Sequence, residues 1–300
     1  MSEILEKLPQ VRGTYRANAD LKNWFNLSAK AEIMFRPQDI ADLQHFLKHK
    51  PKEIPITILG AASNVIIKEI VEGVVIKLGG EFAKITHNQE LITVGAANLC
   101  GSVALYTKNA ALADLEFLSG IPGSIGGAIA MNAGCYGSDM AQILVSAKAV
   151  DFNGNLIELK NSDCGFYYRG NKAAKDIIFV EAILKGSKSE SEIIAEKLLE
   201  VSQKREAAQP IRAKTGGSTF KNPEVKNSET KKAWQLIDES GCRGLKDGDA
   251  QVSEKHCNFL INNGNATAEN LINLINTVQK RVKNQACVNL ELEIKILGKD

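Results

Sequence analysis

Five stretches of this 300-residue chain carry residue types that could do chemistry. Ser119–Gly137, reading SGIPGSIGGAIAMNAGCYG, holds six glycines among small apolar residues and no charge. Glycine lacks a Cβ and tolerates φ > 0, so main-chain amides at Gly120, Gly123, Gly126 and Gly127, with Ile121, Ser124 and Ile125 between them, can approach a bound group closely. The apolar Ile121, Ile125, Ile129 and Met131 place this segment inside the molecule. Gly60-Ala61-Ala62-Ser63-Asn64 is a second run of small residues, where consecutive amides can form an anion-binding nest. Two such runs suit the pyrophosphate of a large cofactor better than one does, and tight turns with close helix packing are the alternative. The P-loop pattern is absent, and GIPGSIGG does not fit GxGxxG, so neither of those phosphate-binding devices applies.

The other three stretches are ambiguous when each is taken alone. Arg169 follows Phe166, Tyr167 and Tyr168; a guanidinium partly desolvated against rings makes a good fork for a carboxylate, and a surface arginine beside an edge strand fits equally. Ser218 lies in Thr215-Gly216-Gly217-Ser218-Thr219-Phe220-Lys221-Asn222-Pro223, where small neighbours leave its hydroxyl accessible. No histidine or acid nearby suggests a hydrolase triad, and a turn serine is the simpler reading. Glu293 alternates with apolar residues and falls on the polar face of its segment, the place of a solvated glutamate.

These residues need a scaffold, and its elements are legible as patterns. Ile40, Leu43, Phe46 and Leu47 have helical spacing within 38–50, and Ile54–Leu59, Val65–Ile67, Val74–Leu78 and Leu91–Val94 read as strands around a helix near Gly101–Ala111. Asn153-Gly154 marks a hairpin within Ala147–Leu159, and Ile177–Leu184 follows as a strand. Lys188–Arg205 reads as a charged connecting helix with Ile193, Ile194, Leu198 and Val201 on one side. Beyond it come a helix near Lys232–Ser240, a strand near Asn258–Ile261, and a helix from Thr267, its N-cap, to Lys283. A last strand, Leu290–Leu297, buries Leu290, Leu292, Ile294 and Ile296. The order is mixed, so the class is α+β, and the length predicts two or three packed units.

Composition narrows the function. Thirty-seven basic and 35 acidic residues give a net charge of +2 without long runs of either sign, which argues against a nucleic-acid partner. The polar stretch Lys221–Lys232 is the nearest approach to low complexity. Six scattered cysteines and four histidines show no CxxC, HExxH or Cys/His cluster, so reduced thiols, a cytoplasmic setting and no metal are expected. No apolar run reaches the length of a membrane span or signal core, which predicts no membrane association.

Taken in order, the Gly60–Asn64 run, Gly120–Gly127 with Met131-Asn132-Ala133-Gly134, Tyr168-Arg169, Gly217–Pro223 and Leu290–Ile294 resemble the motifs of the UDP-N-acetylenolpyruvoylglucosamine reductase family, over about residues 24–298. General resemblance is to the shorter of that family's two types. The resemblance implies a two-lobed FAD-binding unit of the vanillyl-alcohol-oxidase type at 1–187, with lobes of about 1–79 and 80–187. It implies a connecting helix at 188–204 and an α+β substrate domain at 205–300 whose last strand enters the active site. By the same resemblance FAD lies on Gly60, Ala61, Ala62, Ser63 and Asn64 and on Gly120, Ile121, Gly123, Ser124, Ile125, Gly126 and Gly127. NADPH is the implied donor, UDP-N-acetylglucosamine enolpyruvate the small-molecule substrate, and a cytoplasmic monomer the working form. Arg169, Ser218 and Glu293 match the catalytic positions, with Ser218 as proton donor; Tyr168, Lys221 and Asn222 match positions near the substrate. Gly60-Ala61-Ala62 stands where the family commonly has three glycines, so Cβ atoms have to be accommodated there.

Overall fold

The computed structural model describes residues 3–224 and 231–299. Only the two ends of the Lys221–Lys232 stretch fall within it; residues 225–230 lie outside the described residues. The chain divides into two compact units, each built from three segments. The first comprises the residues up to Ala19, Ala31–Ala61 and Glu72–Arg205; the second comprises Asp20–Lys30, Ala62–Val71 and the residues from Glu206 on. A single boundary near 187–205 therefore does not describe the grouping, because two early segments belong with the C-terminal unit. Phe25, Leu27 and Ile66 are the reason: all three are buried in the same apolar cluster as Phe220, Leu236, Leu274 and Ile294.

In the first unit a four-stranded sheet has the order Thr14–Asp20, Lys30–Arg36, Ile70–Ile76, Ile56–Ile58, with the last pair parallel. The helix Ile40–His49 follows its N-cap Asp39, whose side chain accepts from the Asp42 amide. This helix buries Leu43, Phe46 and Leu47 against Ile33, Phe35, Val74 and Ile76, as its spacing predicts. A five-stranded antiparallel sheet runs Leu156–Lys160, Leu144–Asp151, Ile177–Lys185, Leu91–Gly95, Ile85–Asn88. Its first pair is the hairpin turned by Asn153 and Gly154, the latter at φ +81 as such turns require. The helix Cys100–Asn109 and the short helix Ile125–Ala130 share the core that includes Ile92, Val94, Ala147 and Leu184.

The second unit packs the helices Ala233–Glu239 and Ala268–Ala286 with a sheet of order Lys246–Asp247, Ala250–Val252, Leu260–Asn262. Thr267 caps the long helix, accepting from the Asn270 amide. Val65–Ile67 pairs in parallel with Lys295–Leu297.

Three expectations need correction. The charged helix spans Ser191–Ala208, three residues later than read, because Ser187–Lys188 pairs with Leu112–Ala113 and cannot be helical. Of its residues only Ile194 is buried, and Ile193 is 44% exposed. The last segment is regular strand only at Lys295–Leu297; the buried alternation stops at Ile294, and Ile296 is exposed because this strand pairs through its main chain to Val65–Ile67 with one face open.

Candidate active site

Gly60, in the first unit, approaches the glycine-rich segment at Ser124. A Cβ built on Gly60 would lie 2.4 Å from Ser124 Oγ, so only glycine fits beside this serine. Ser124 is buried and caps the helix Ile125–Ala130, its hydroxyl accepting from the Gly127 N–H. The run is stitched to the end of the five-stranded sheet: Gly126 N–H donates to Ala96 O, Ile125 N–H to Asn98 O, and Cys100 N–H to Gly123 O, each at 2.9 Å. Of its six glycines only Gly137 takes a positive φ, and Gly120, Gly126 and Gly134 serve close approach rather than left-handed turns. Gly120, where a Cβ would sit 2.7 Å from Cys135 Sγ, and Gly134, 2.4 Å from Ser138 O, show this directly. Burial pushes the Cys135 thiol up to about 11, with Arg169 and Arg205 pulling the other way.

Among the described residues, none accepts a hydrogen bond from the main-chain N–H of Gly60, Ala61, Ala62 or Ser63. Four successive donors without a protein acceptor are what an anion-binding run offers. Ala62 is left-handed at φ +52 and buried, the conformation that glycine adopts without cost. These residues fit a pyrophosphate.

Arg169 stands in the two-residue turn of a small hairpin, Phe166–Tyr167 paired with Gly170–Asn171. It is itself left-handed at φ +57, an uncommon state for a long side chain, and its guanidinium lies over the Tyr168 ring at 5.1 Å. Two buried asparagines tie this hairpin to the glycine-rich segment. Asn132 Nδ2 donates to Tyr167 O at 3.3 Å, and Asn171 Nδ2 donates to Ile129 O at 3.2 Å. The glycine-rich segment and the arginine hairpin are thus joined by hydrogen bonds. The sequence shows both asparagines only as members of motifs, because the bonds they make are tertiary.

The second unit brings together Asn64, Ser218, Lys221, Asn222 and Glu293. Glu293 N–H donates to Thr219 O at 2.9 Å and Lys221 N–H to Glu291 O at 2.9 Å, so 218–221 and 291–294 run side by side. Asn64 Nδ2 donates to Glu293 O at 3.0 Å, and Lys295 N–H donates back to Asn64 O at 3.1 Å. The last residue of the Gly60–Asn64 run therefore grips the main chain of Glu293 directly. Lys221 Nζ lies 3.3 Å from Glu291 Oε2, and Asn222 Oδ1 accepts from Ala233 N–H at 3.1 Å, at the start of the helix Ala233–Glu239. The Thr219 hydroxyl is buried without a partner among the described residues.

A model of the UDP-N-acetylenolpyruvoylglucosamine reductase C-terminal domain matches residues 209–297, and a model of an FAD-binding domain matches 31–160. A UDP-N-acetylenolpyruvoylglucosamine reductase of Rickettsia prowazekii (strain Madrid E) is 45% identical over 97% of this chain and 98% of its own length. The chain belongs to the UDP-N-acetylenolpyruvoylglucosamine reductase family. A second such reductase, from Parvibaculum lavamentivorans, is 47% identical over 98% of this chain and 94% of its own. The crystal structure of the reductase from Thermus caldophilus superposes with a TM-score of 0.79 at 29% identity, covering 96% of this chain and all of that one. The chain is thus an FAD-dependent oxidoreductase of this reductase family, and the α+β class and the FAD cofactor expected from its sequence stand.

Proposed function

We propose that this chain reduces UDP-N-acetylglucosamine enolpyruvate to UDP-N-acetylmuramate with NADPH as donor, a cytoplasmic step of peptidoglycan precursor synthesis carried out by a monomer. The observation that carries the reading is the main-chain bond from Glu293 to Thr219, which sets Ser218 and Glu293 on neighbouring segments, in a chain whose reductase relatives span its whole length.

The FAD-binding unit of this reading takes in 1–187 apart from Asp20–Lys30 and Ala62–Val71, which group with the substrate unit 205–300, and the connecting helix lies between them in sequence. Gly60, Ala61, Ala62, Ser63 and Asn64, with Gly120, Ile121, Gly123, Ser124, Ile125, Gly126 and Gly127, hold the cofactor. Held there, FAD would supply the hydride chemistry that links NADPH oxidation to reduction of the enolpyruvyl double bond. Addition across that bond needs a proton at the neighbouring carbon, and negative charge builds on the carboxylate side before it arrives. Arg169 is suited to meet that charge: its planar fork matches a carboxylate, and its hairpin and ring contact hold it in place. Ser218 delivers the proton. A hydroxyl is a weak acid, so it succeeds only against a strongly basic carbon in fixed geometry. Glu293 stabilises the same developing charge or orders its neighbours, and Tyr168, Lys221 and Asn222 contact the substrate.

The test is the visible spectrum of the purified protein without oxygen. NADPH bleaches the flavin band, and the enolpyruvyl substrate then restores it. Recovery only on admitting air would replace this reading with an oxidase, and the lack of any flavin band after FAD is supplied would reject both. Ser218→Ala should slow recovery while leaving bleaching nearly intact, because the proton is needed only in the second half-reaction; equal loss in both halves removes the serine from its role.

A further inference from the structure

We infer that Asn258 is a positioning residue for Ser218, an inference that rests on the proton-donor role proposed for that serine. Ser218 follows Gly217, which sits at φ +78 with open space where a Cβ would be, so the chain entering the serine is not held by packing on that side. The chain leaving it is held firmly. Thr219 N–H donates to Asn258 O at 2.8 Å, Phe220 N–H donates to Asn258 Oδ1 at 2.9 Å, and Asn258 Nδ2 donates to Phe220 O at 2.8 Å.

A side-chain amide here does what a neighbouring strand would do, offering an acceptor and a donor to the peptide groups of one residue. Ser218 itself faces Phe259 in an antiparallel bridge. On the opposite edge Thr219 O accepts from Glu293, so the segment is clasped between Asn258 and the glutamate. Asn258 is buried, and its own place is fixed because Ser253 N–H donates to Phe259 O at 2.8 Å, beside the paired strands Ala250–Val252 and Leu260–Asn262.

No other side chain of this size supplies the clasp. Aspartate accepts from Phe220 N–H but opposes one oxygen to Phe220 O, and alanine leaves both peptide groups of Phe220 buried without partners. Misplacing a proton donor by about 1 Å is enough to cost on the order of a hundredfold in rate. The peptide groups of Phe220 take up both ends of the Asn258 amide, so its effect on rate passes through the segment that carries Ser218.

The experiment compares the FAD-loaded wild type with Ser218→Ala, Asn258→Ala, Asn258→Asp and the double variant Ser218→Ala/Asn258→Ala. Stopped-flow spectroscopy without oxygen reads bleaching by NADPH and recovery with the enolpyruvyl substrate separately, and amide hydrogen exchange is followed over residues 215–222. Asn258→Ala should slow recovery at least about tenfold with bleaching changed less than about twofold, and should speed exchange at Thr219 and Phe220. The double variant should recover no more slowly than Ser218→Ala, since residues acting as one unit are not additive. Equal slowing of both half-reactions, unchanged exchange, or a double variant slowed by the product of the single effects would overturn the inference. If Asn258→Ala does not fold, Asn258→Asp decides by the same comparisons. Should Ser218→Ala recover at the wild-type rate, the serine's role falls; should it slow recovery while the Asn258 variants do not, only the inference about Asn258 falls.

Discussion

Replacing Gly60 by alanine tests the cofactor role proposed for Gly60–Asn64 where the run meets Ser124. The added methyl would lie 2.4 Å from Ser124 Oγ, short of ordinary contact at 3.4 Å by about 1 Å. Gly60 does not use a left-handed φ, so the backbone itself accepts alanine and the whole cost is this contact. The cheapest relief rotates the Ser124 hydroxyl away and gives up its bond to Gly127 N–H, a long one at 3.4 Å. Loss of an N-cap costs about 0.5–2 kcal/mol, and a buried hydroxyl left without a partner about 1–3 kcal/mol, so about 1.5–5 kcal/mol in total is expected. That lowers the Tm of the FAD-free protein by roughly 2–4 °C per kcal/mol. The methyl also narrows the approach to the Gly60–Ser63 amides, so FAD affinity should fall at least about tenfold, or about 1.4 kcal/mol. Thermal unfolding of the FAD-free protein and quenching of flavin fluorescence on titration measure the two effects. Gly60→Ala/Ser124→Ala removes the clash and should recover part of the loss in both, a non-additivity expected of touching residues. Unchanged FAD affinity in Gly60→Ala would refute the assignment of this run to the cofactor.

Three further outcomes are expected. Arg169→Lys keeps the charge but loses the fork and the flat contact with Tyr168, so kcat/KM should drop at least about tenfold in steady-state assays; near-normal turnover would remove Arg169 from the mechanism. Burial holds His256 below its ordinary pKa, so the unfolded chain binds this proton more readily. Stability from this group is therefore complete above about pH 6.5 and declines as pH falls below it, and His256→Gln should flatten the Tm difference between about pH 5.5 and 7.5. Five cysteines are buried or half-buried, with Cys100 pushed up to about 12 and Cys257 to about 11 by burial, whereas Cys287 is exposed. A colorimetric thiol reagent should find one fast thiol in the native protein, and Cys287→Ser should abolish it; several fast thiols would contradict the packing.

Much of the scaffold follows from local rules. The helix at Ile40–His49 comes from 3.6-residue spacing behind an aspartate cap, and the long C-terminal helix begins at Thr267 for the same capping reason. Gly154 turns the hairpin after Asn153 through a φ > 0 that glycine accepts cheaply. Where neighbours in space compete, local rules lose. Lys188 has helical company in sequence yet joins a strand pair, and Thr14–Asp20 carries no clear alternation and becomes a strand because Lys30–Arg36 lies beside it. The five chemistry-bearing stretches were visible as residue types at set positions, since glycine, arginine, serine and glutamate keep their chemistry whatever surrounds them.

Their assembly was not visible, because hydrogen bonds between distant segments leave no periodic trace in a single chain. Asn132 and Asn171 lashing the Arg169 hairpin to the glycine-rich segment, Asn64 gripping Glu293, and Asn258 clasping Phe220 are all of this kind. Sequence by itself determined which atoms are available to bind a pyrophosphate, meet a carboxylate or give up a proton. Tertiary structure alone decided which of them stand together, because a buried amide has to find its partners wherever the packed chain puts them.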